Sequence, residues 1–196
     1  MPVLPHLAAI NAVAWAYVLG SIPVSFLVAL FWRQDPRRVG SGNVGTANTF
    51  RSISPWAGLL SLFLDAGKGY LAVCLARITG AGGTAPFLAA VAVVAGHNWM
   101  LFLKFRGGKG LAASAGALLG LAPGAIPVVA LVMAVLLFLL RDTNTAAAVG
   151  MLSLPFYLLL IAGRGAFFCG VLWAALVIIK FWPDLQAYKA GRRSLY

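Results

Sequence analysis

The sequence predicts an all-α protein, a polytopic transmembrane helical bundle of seven spans with its N-terminus outside and its C-terminus cytoplasmic. Three observations lead there. The 196 residues are 62% hydrophobic and 10% charged, with a mean hydropathy of +0.93, far too apolar for a water-soluble domain. The apolar residues fall in long runs separated by polar or Gly/Pro breaks. The charge is one-sided, 15 Lys plus Arg against four Asp and no Glu, for a net +11.

A bilayer core of ~30 Å takes about 20 apolar residues of helix, and the runs place spans at 6–32, 54–79, 85–103, 111–122, 125–140, 146–162 and 165–182. The first has no Lys or Arg before Arg33 and is far longer than a signal-peptide core, so it reads as a retained span. The second carries Asp65 and Lys68, and the third closes on His97 and Asn98. The fourth is short, and Pro123-Gly124 with Pro127 reads either as a turn before the fifth or as a kink in one longer helix.

Charge decides between these. With seven spans, the inner segments hold Arg33, Arg37, Arg38, Arg51, Lys104, Arg106, Lys109, Arg141, Lys180, Lys189, Arg192 and Arg193, twelve of the fifteen cations. Arg77 and Arg164 lie near the outer side. Merging the fourth and fifth spans sends Arg141 and the basic C-terminus outside, against the positive-inside rule. No internal repeat, linker or second domain is visible, so residues 1–196 read as one integral membrane domain. Cys74 and Cys169 fall inside apolar runs and are expected to be reduced thiols packed as small hydrophobes.

Anionic lipid headgroups and membrane orientation account for much of the basic excess. Nucleic acid is not indicated, because the cations are scattered over short loops without interleaved aromatics. Two loops do stand out. Gly40-Ser41-Gly42-Asn43-Val44-Gly45-Thr46-Ala47-Asn48-Thr49-Phe50-Arg51 follows the first span, and Phe105-Arg106-Gly107-Gly108-Lys109-Gly110 follows the third. Glycines let a backbone turn its N–H groups toward an anion, and Ser, Asn, Arg and Lys add donors, so each has the composition of a phosphate cradle. Glycines also permit close helix approach, an alternative that fits Gly20 to Pro23 but not Lys109 enclosed by three glycines.

Asp65 and Lys68 are spaced i, i+3, on one helix face; they read either as a self-neutralising pair or as a substrate-binding pair. His97 is either an interfacial hydrogen-bonding group or a functional neighbour of the Lys109 loop; His6 has no such neighbourhood. Several chemistries are excluded. Neither loop has Walker A spacing, no Gly-x-Ser-x-Gly elbow occurs, and Phe102 stands where a His-x-x-x-x-Asp acyltransferase pair needs its acid. Two His, two distant Cys and four Asp are too few and too dispersed for a metal site. What remains is a site of donors with hardly any bases, suited to a substrate that is already activated.

These blocks resemble one family, the bacterial acyl-phosphate:glycerol-3-phosphate acyltransferases of the PlsY type. The likeness runs through Gly20-Ser21-Ile22-Pro23; Gly40-Ser41-Gly42-Asn43 with Gly45, Asn48 and Arg51; Asp65 with Lys68-Gly69; Gly96-His97-Asn98; and Phe105 with Gly107-Gly108-Lys109-Gly110. The resemblance implies transfer of a fatty acyl group from acyl phosphate to glycerol 3-phosphate near the cytoplasmic face of the cell membrane, without cofactor or metal. It also implies that Ser41, Arg51, Lys109 and His97 are the catalytic residues, the first three binding substrate phosphate. Gly40, Gly42, Asn43, Gly45, Asn48, Gly107, Gly108 and Gly110 would complete the cradles, with Asp65, Lys68 and Asn98 in support.

The C-terminal half departs from the pattern. The family commonly carries a His and an Asn three residues apart after the last span, then a Gly and a Glu; here Phe181, Asp184, Gly191 and Arg193 stand there. Its serine-bearing loop corresponds loosely to Arg141-Asp142-Thr143-Asn144-Thr145, and its usual Ala-Thr is inverted to Thr46-Ala47. A transporter of a phosphorylated solute and an inactive homologue are the rival readings.

Overall fold

The computed structural model describes residues 3–79 and 82–194, and among them it is helical throughout, with no strand. The chain forms two compact units, Met1–Leu121 and Ala122–Tyr196.

In the first unit, α1 (Val3–Ser21) and α2 (Val24–Phe31) fill the first predicted span but part at Ile22-Pro23. Proline has no N–H to continue the helix ladder, so the break strands carbonyls. The Lys68 ammonium, reaching across from the next long helix, donates to the carbonyls of Gly20 at 2.9 Å and Ile22 at 3.0 Å. After the first glycine-rich loop comes a short helix, α3 (Thr46–Ser52), in a stretch the sequence leaves between spans. Then follow α4 (Pro55–Ile78), with proline at its first position where the missing N–H does no harm, and α5 (Ala85–Asn98). A 3-10 turn (Leu101–Leu103) and the second glycine-rich loop lead to α6 (Leu111–Leu121).

Small residues set the packing. α1 lies along α5, and α4 along α6. At each crossing a glycine faces the partner's backbone: Gly20 meets the Val93 carbonyl, Gly96 that of Tyr17, Gly69 that of Ala113, and Gly116 that of Ala66. A methyl group at any of these has no room, as expected where backbone approach and not bulky side-chain burial drives helix association. Alanines (Ala57, Ala72, Ala89, Ala90, Ala113, Ala117) share the buried core with Val73, Val93, Val94 and Met100, while Trp15 and Phe63 point outward.

In the second unit, α7 (Ala125–Leu140) turns through left-handed Arg141 into α8 (Thr143–Gly150), a 3-10 turn (Met151–Ser153) and α9 (Leu154–Lys189). Gly163 interrupts α9 with φ 78° and ψ −167°, a conformation open to glycine, beside the predicted boundary between the last two spans. The helix then runs beyond the predicted end at 182, through Pro183, to Lys189. Asp142 caps α8 by accepting from the Thr145 N–H at 2.7 Å, and its second oxygen accepts from the backbone N–H and hydroxyl of Ser194. The Thr143 N–H and hydroxyl donate to the Ser194 carbonyl at 3.0 and 2.7 Å, so the chain after α9 is clasped to the α7–α8 turn.

Among the described residues, four helical stretches are long and apolar enough to cross a membrane: His6–Phe31, Pro55–Ile78, Ala85–Leu103 and Thr143–Lys189. Leu111–Leu121 and Ala125–Leu140 are apolar but shorter. Large exposed side chains such as Phe138 and Leu160 fit a lipid environment, where outward apolar surface carries no penalty.

Candidate active site

The site is built in the first unit from the two glycine-rich loops and the helices that carry them. The first loop owes its shape to Asn48. This buried amide donates to the carbonyls of Pro36 at 2.9 Å and Val39 at 3.1 Å, and its oxygen accepts from the Ser41 N–H at 2.9 Å and the Ser52 hydroxyl at 3.2 Å. Both donors and both acceptor positions are thereby used. Asn48, placed by sequence among the phosphate ligands, instead holds the chain from Pro36 to Ser41 over α3. Ser41 is exposed, with its hydroxyl 3.4 Å from the Asn43 N–H, and Arg51 is exposed on the last turn of α3. Gly40 and Gly42 both take positive φ, and Gly45 precedes α3 in an extended conformation.

The second loop rests on the end of α5. Lys104 and Phe105 take left-handed conformations, and the Gly108 N–H donates to the His97 carbonyl at 3.1 Å. Gly107 lies against the carbonyls of His97 and Asn98, so any side chain there meets immovable backbone. Gly108 lies against Nε2 of His97, and Gly110, at φ 83°, against the Asn98 amide oxygen. Lys109 sits half-buried between them. The two loops touch: a Cβ on Gly45 would stand 3.7 Å from the Gly108 Cα.

Beneath the loops lies a buried charge cluster. One Asp65 oxygen is 2.8 Å from the Lys68 ammonium and 3.3 Å from His97 Nδ1; the other accepts from the Ser25 hydroxyl at 2.7 Å and lies 3.4 Å from the Thr46 hydroxyl. Asp65, Lys68 and His97 are 0%, 4% and 2% exposed. A single carboxylate therefore joins α2, the start of α3, α4 and the end of α5. The i, i+3 pairing expected from sequence is present, and it is wider than a pair. Ser25 and Thr46 carried no sequence signal as its partners.

Where the loops meet, a cavity of about 220 Å³ is walled by Arg37, Gly42, Asn43 and Val44 from one side and Leu103, Arg106 and Gly107 from the other. Arg106 belongs to the second cradle motif, whereas Arg37 enters the sequence-level reading only as an orientation charge, although it stands within a few residues of a glycine run.

The positions where the C-terminal half departs from the family pattern lie in the second unit. Phe181 is buried at 1% exposure, and Asp184 accepts from the Asn144 amide at 2.8 Å. Gly191 takes φ 79°, and the Arg193 guanidinium lies 5.9 Å from the Tyr188 ring centre. No group of three or more potential metal ligands occurs among the described residues.

The sequence profile of the family described as glycerol-3-phosphate acyltransferase matches residues 10–191. A glycerol-3-phosphate acyltransferase 1 of Moorella thermoacetica is 38% identical over 176 residues, covering 89% of this chain and 90% of the relative. The glycerol-3-phosphate acyltransferase of Dechloromonas aromatica is 38% identical over 186 residues, covering 93% of each. Among solved structures, the crystal structure of PlsY, an integral membrane glycerol 3-phosphate acyltransferase, in its glycerol 3-phosphate form superposes with a TM-score of 0.87 at 28% identity, covering 96% of this chain and 95% of that one. Its lysophosphatidic acid form gives 0.84 at 27% identity. With nearly the whole chain matched in both sequence and fold, this protein belongs to the glycerol-3-phosphate acyltransferase family.

Proposed function

We propose that this protein transfers a fatty acyl group from acyl phosphate to glycerol 3-phosphate, yielding lysophosphatidic acid and inorganic phosphate, the first acylation of phospholipid synthesis. The observation that carries this reading is the meeting of two glycine-rich, cation-bearing loops above one buried carboxylate, in a chain that matches the family over residues 10–191. The glycerol hydroxyl oxygen attacks the acyl carbonyl carbon, the new ester bond forms, and the anhydride C–O bond breaks with its electrons leaving on phosphate, which takes up the hydroxyl proton. Phosphate is already a good leaving group, so the protein's task is to hold two anions together and to steady developing oxyanion charge. Ser41, Arg51 and Lys109 supply donors to substrate phosphate, with the backbone of both loops. His97 touches Asp65 and Gly108, and at 2% exposure it acts as a positioning residue for the second loop. Asn48 shapes the first cradle and leaves ligand contact to its neighbours.

The decisive assay uses purified protein in lipid with glycerol 3-phosphate and either acyl phosphate or acyl-CoA, followed by phosphate release and product identification. Turnover is expected with acyl phosphate only. Turnover with acyl-CoA alone, or with neither, overturns the reading.

The same proposal includes seven crossings of the cytoplasmic membrane, with α1 and α2 as the first and α9 divided at Gly163. Both glycine loops face the cytoplasm and take membrane lipids as surroundings. The twelve inward cations support this orientation. In a variant lacking Cys74 and Cys169, a cysteine at Gly45 should resist an impermeant thiol reagent in intact cells while one at Gly82 labels. Labelling of position 45 from outside reverses the orientation.

A further inference from the structure

The cavity between the two loops has walls without any acidic residue and two arginines from different parts of the chain, Arg37 and Arg106. Neither belongs to the Ser41, Arg51 and Lys109 set. The two are differently prepared. Arg106 is exposed and forms no ion pair among the described residues. Arg37 is held on two sides: Nε and Nη2 donate to the Asp35 carboxylate at 2.9 and 2.8 Å, and the guanidinium carbon stands 4.8 Å from the Phe26 ring centre. Arg38 also approaches Asp35, at 3.7 Å, but its side chain is 85% exposed.

Building on the reading of these loops as a phosphate-handling site, we propose that this cavity is a phosphate-monoester subsite within it, with Arg37 and Arg106 as further cations and Asp35 as a resident counter-ion competing for Arg37. A guanidinium presents a planar fork of donors matched to phosphate oxygens, and two of them arriving from opposite walls grip a dianion from both sides. The Gly42 and Gly107 backbones, with no Cβ, let the anion approach the main chain. Hydrogen bonds from the Arg37 side chain, then from its backbone N–H, hold the Asp35 carboxyl down at about 2. Asp35 therefore stays charged through the physiological range, so protonation does not release Arg37, and an incoming anion must compete with Asp35 for it. An occupied subsite thus trades one anion for another on a preoriented guanidinium, and Asp35 sets how weakly the phosphate is held. Weak retention suits a site that must also discharge a phosphate product.

The phosphate belongs either to a water-soluble species or to a membrane lipid headgroup, and both are tested by binding without turnover. Full-length protein in phosphatidylcholine nanodiscs is titrated calorimetrically with glycerol 3-phosphate and with inorganic phosphate. A parallel series measures thermal stabilisation in nanodiscs containing phosphatidic acid. Arg37→Gln and Arg106→Gln should each weaken phosphate binding about tenfold, the loss expected for one charge-assisted donor. Asp35→Asn should tighten it severalfold. If this pattern appears with soluble phosphates, the subsite serves substrate or product; if it appears only with phosphatidic acid, it serves a lipid headgroup. The proposal is overturned if both Arg variants bind all three ligands as wild type does, or if Asp35→Asn leaves affinity unchanged or weakens it. A protein that shows the pattern but no acyl transfer removes the activity and leaves the subsite; normal transfer with unaltered binding in the variants removes the subsite alone.

Discussion

Lys109→Ala should lower kcat/KM with acyl phosphate by roughly a hundred- to a thousandfold, the loss typical of one donor that meets charge developing in the transition state. Helical content and melting temperature should hardly move, because Lys109 is half-buried on a loop that the Gly108 N–H and the close glycine contacts fix on α5. Lys109→Arg should recover little. Gly107 and Gly108 already lie in contact with the His97 and Asn98 carbonyls and with the His97 ring, so the loop has no slack to receive a planar fork in place of a compact ammonium. Near-normal turnover by Lys109→Ala would remove phosphate binding from this loop.

The second large effect is on stability. Asp65→Asn leaves Lys68, at 4% exposure, as an uncompensated buried cation, and breaking one side of a buried pair costs about 3–5 kcal/mol. Folded yield and melting temperature in detergent should both fall. Asp65→Asn combined with Lys68→Met should restore much of the loss, since no stranded charge remains, and the coupling between the two changes measures the pair directly. Activity should not return with stability. Thr46 at the end of the first loop and His97 beneath the second both face the carboxylate, so its removal frees each loop from the same anchor. A double variant no more stable than Asp65→Asn alone would show that the pair does not hold the bundle together.

The parts of this molecule that show in its sequence are those fixed by local chemistry. Apolar run length gives the helices, and Pro123 and Gly163 mark breaks because ring closure and left-handed φ act within one or two residues, whereas Pro23 divides a run that reads as one span. The glycine loops are visible for the same reason. What stayed hidden depends on partners far along the chain. Ser25 reaches Asp65 across 40 positions, and nothing in a run of apolar residues says which hydroxyl will face a carboxylate two helices away. Asn48 is the reverse case: its amide has the composition of a ligand, and its four hydrogen bonds within the first loop and α3 appear only in the fold. In the second unit, Asp184 where the family pattern carries an amide meets Asn144 on the neighbouring helix, a pairing that only tertiary structure reveals.

The glycine seams have a consequence that reaches the loops. α5 and α6 hold the two ends of the segment carrying Lys109, and each is pinned to its partner helix where glycine and main chain touch. Contacts of that kind contain no rotamers that can be rearranged, so any gain in volume must appear as displacement of a whole helix. The mouth of the site is therefore gauged from within the membrane, by positions such as Gly116 that never meet a substrate. Sequence drift in such a protein is free on the lipid-facing side, where Phe63 and Leu160 can change size without moving anything, and closed along the seams, where one added carbon shifts the distance between donors and acyl carbon.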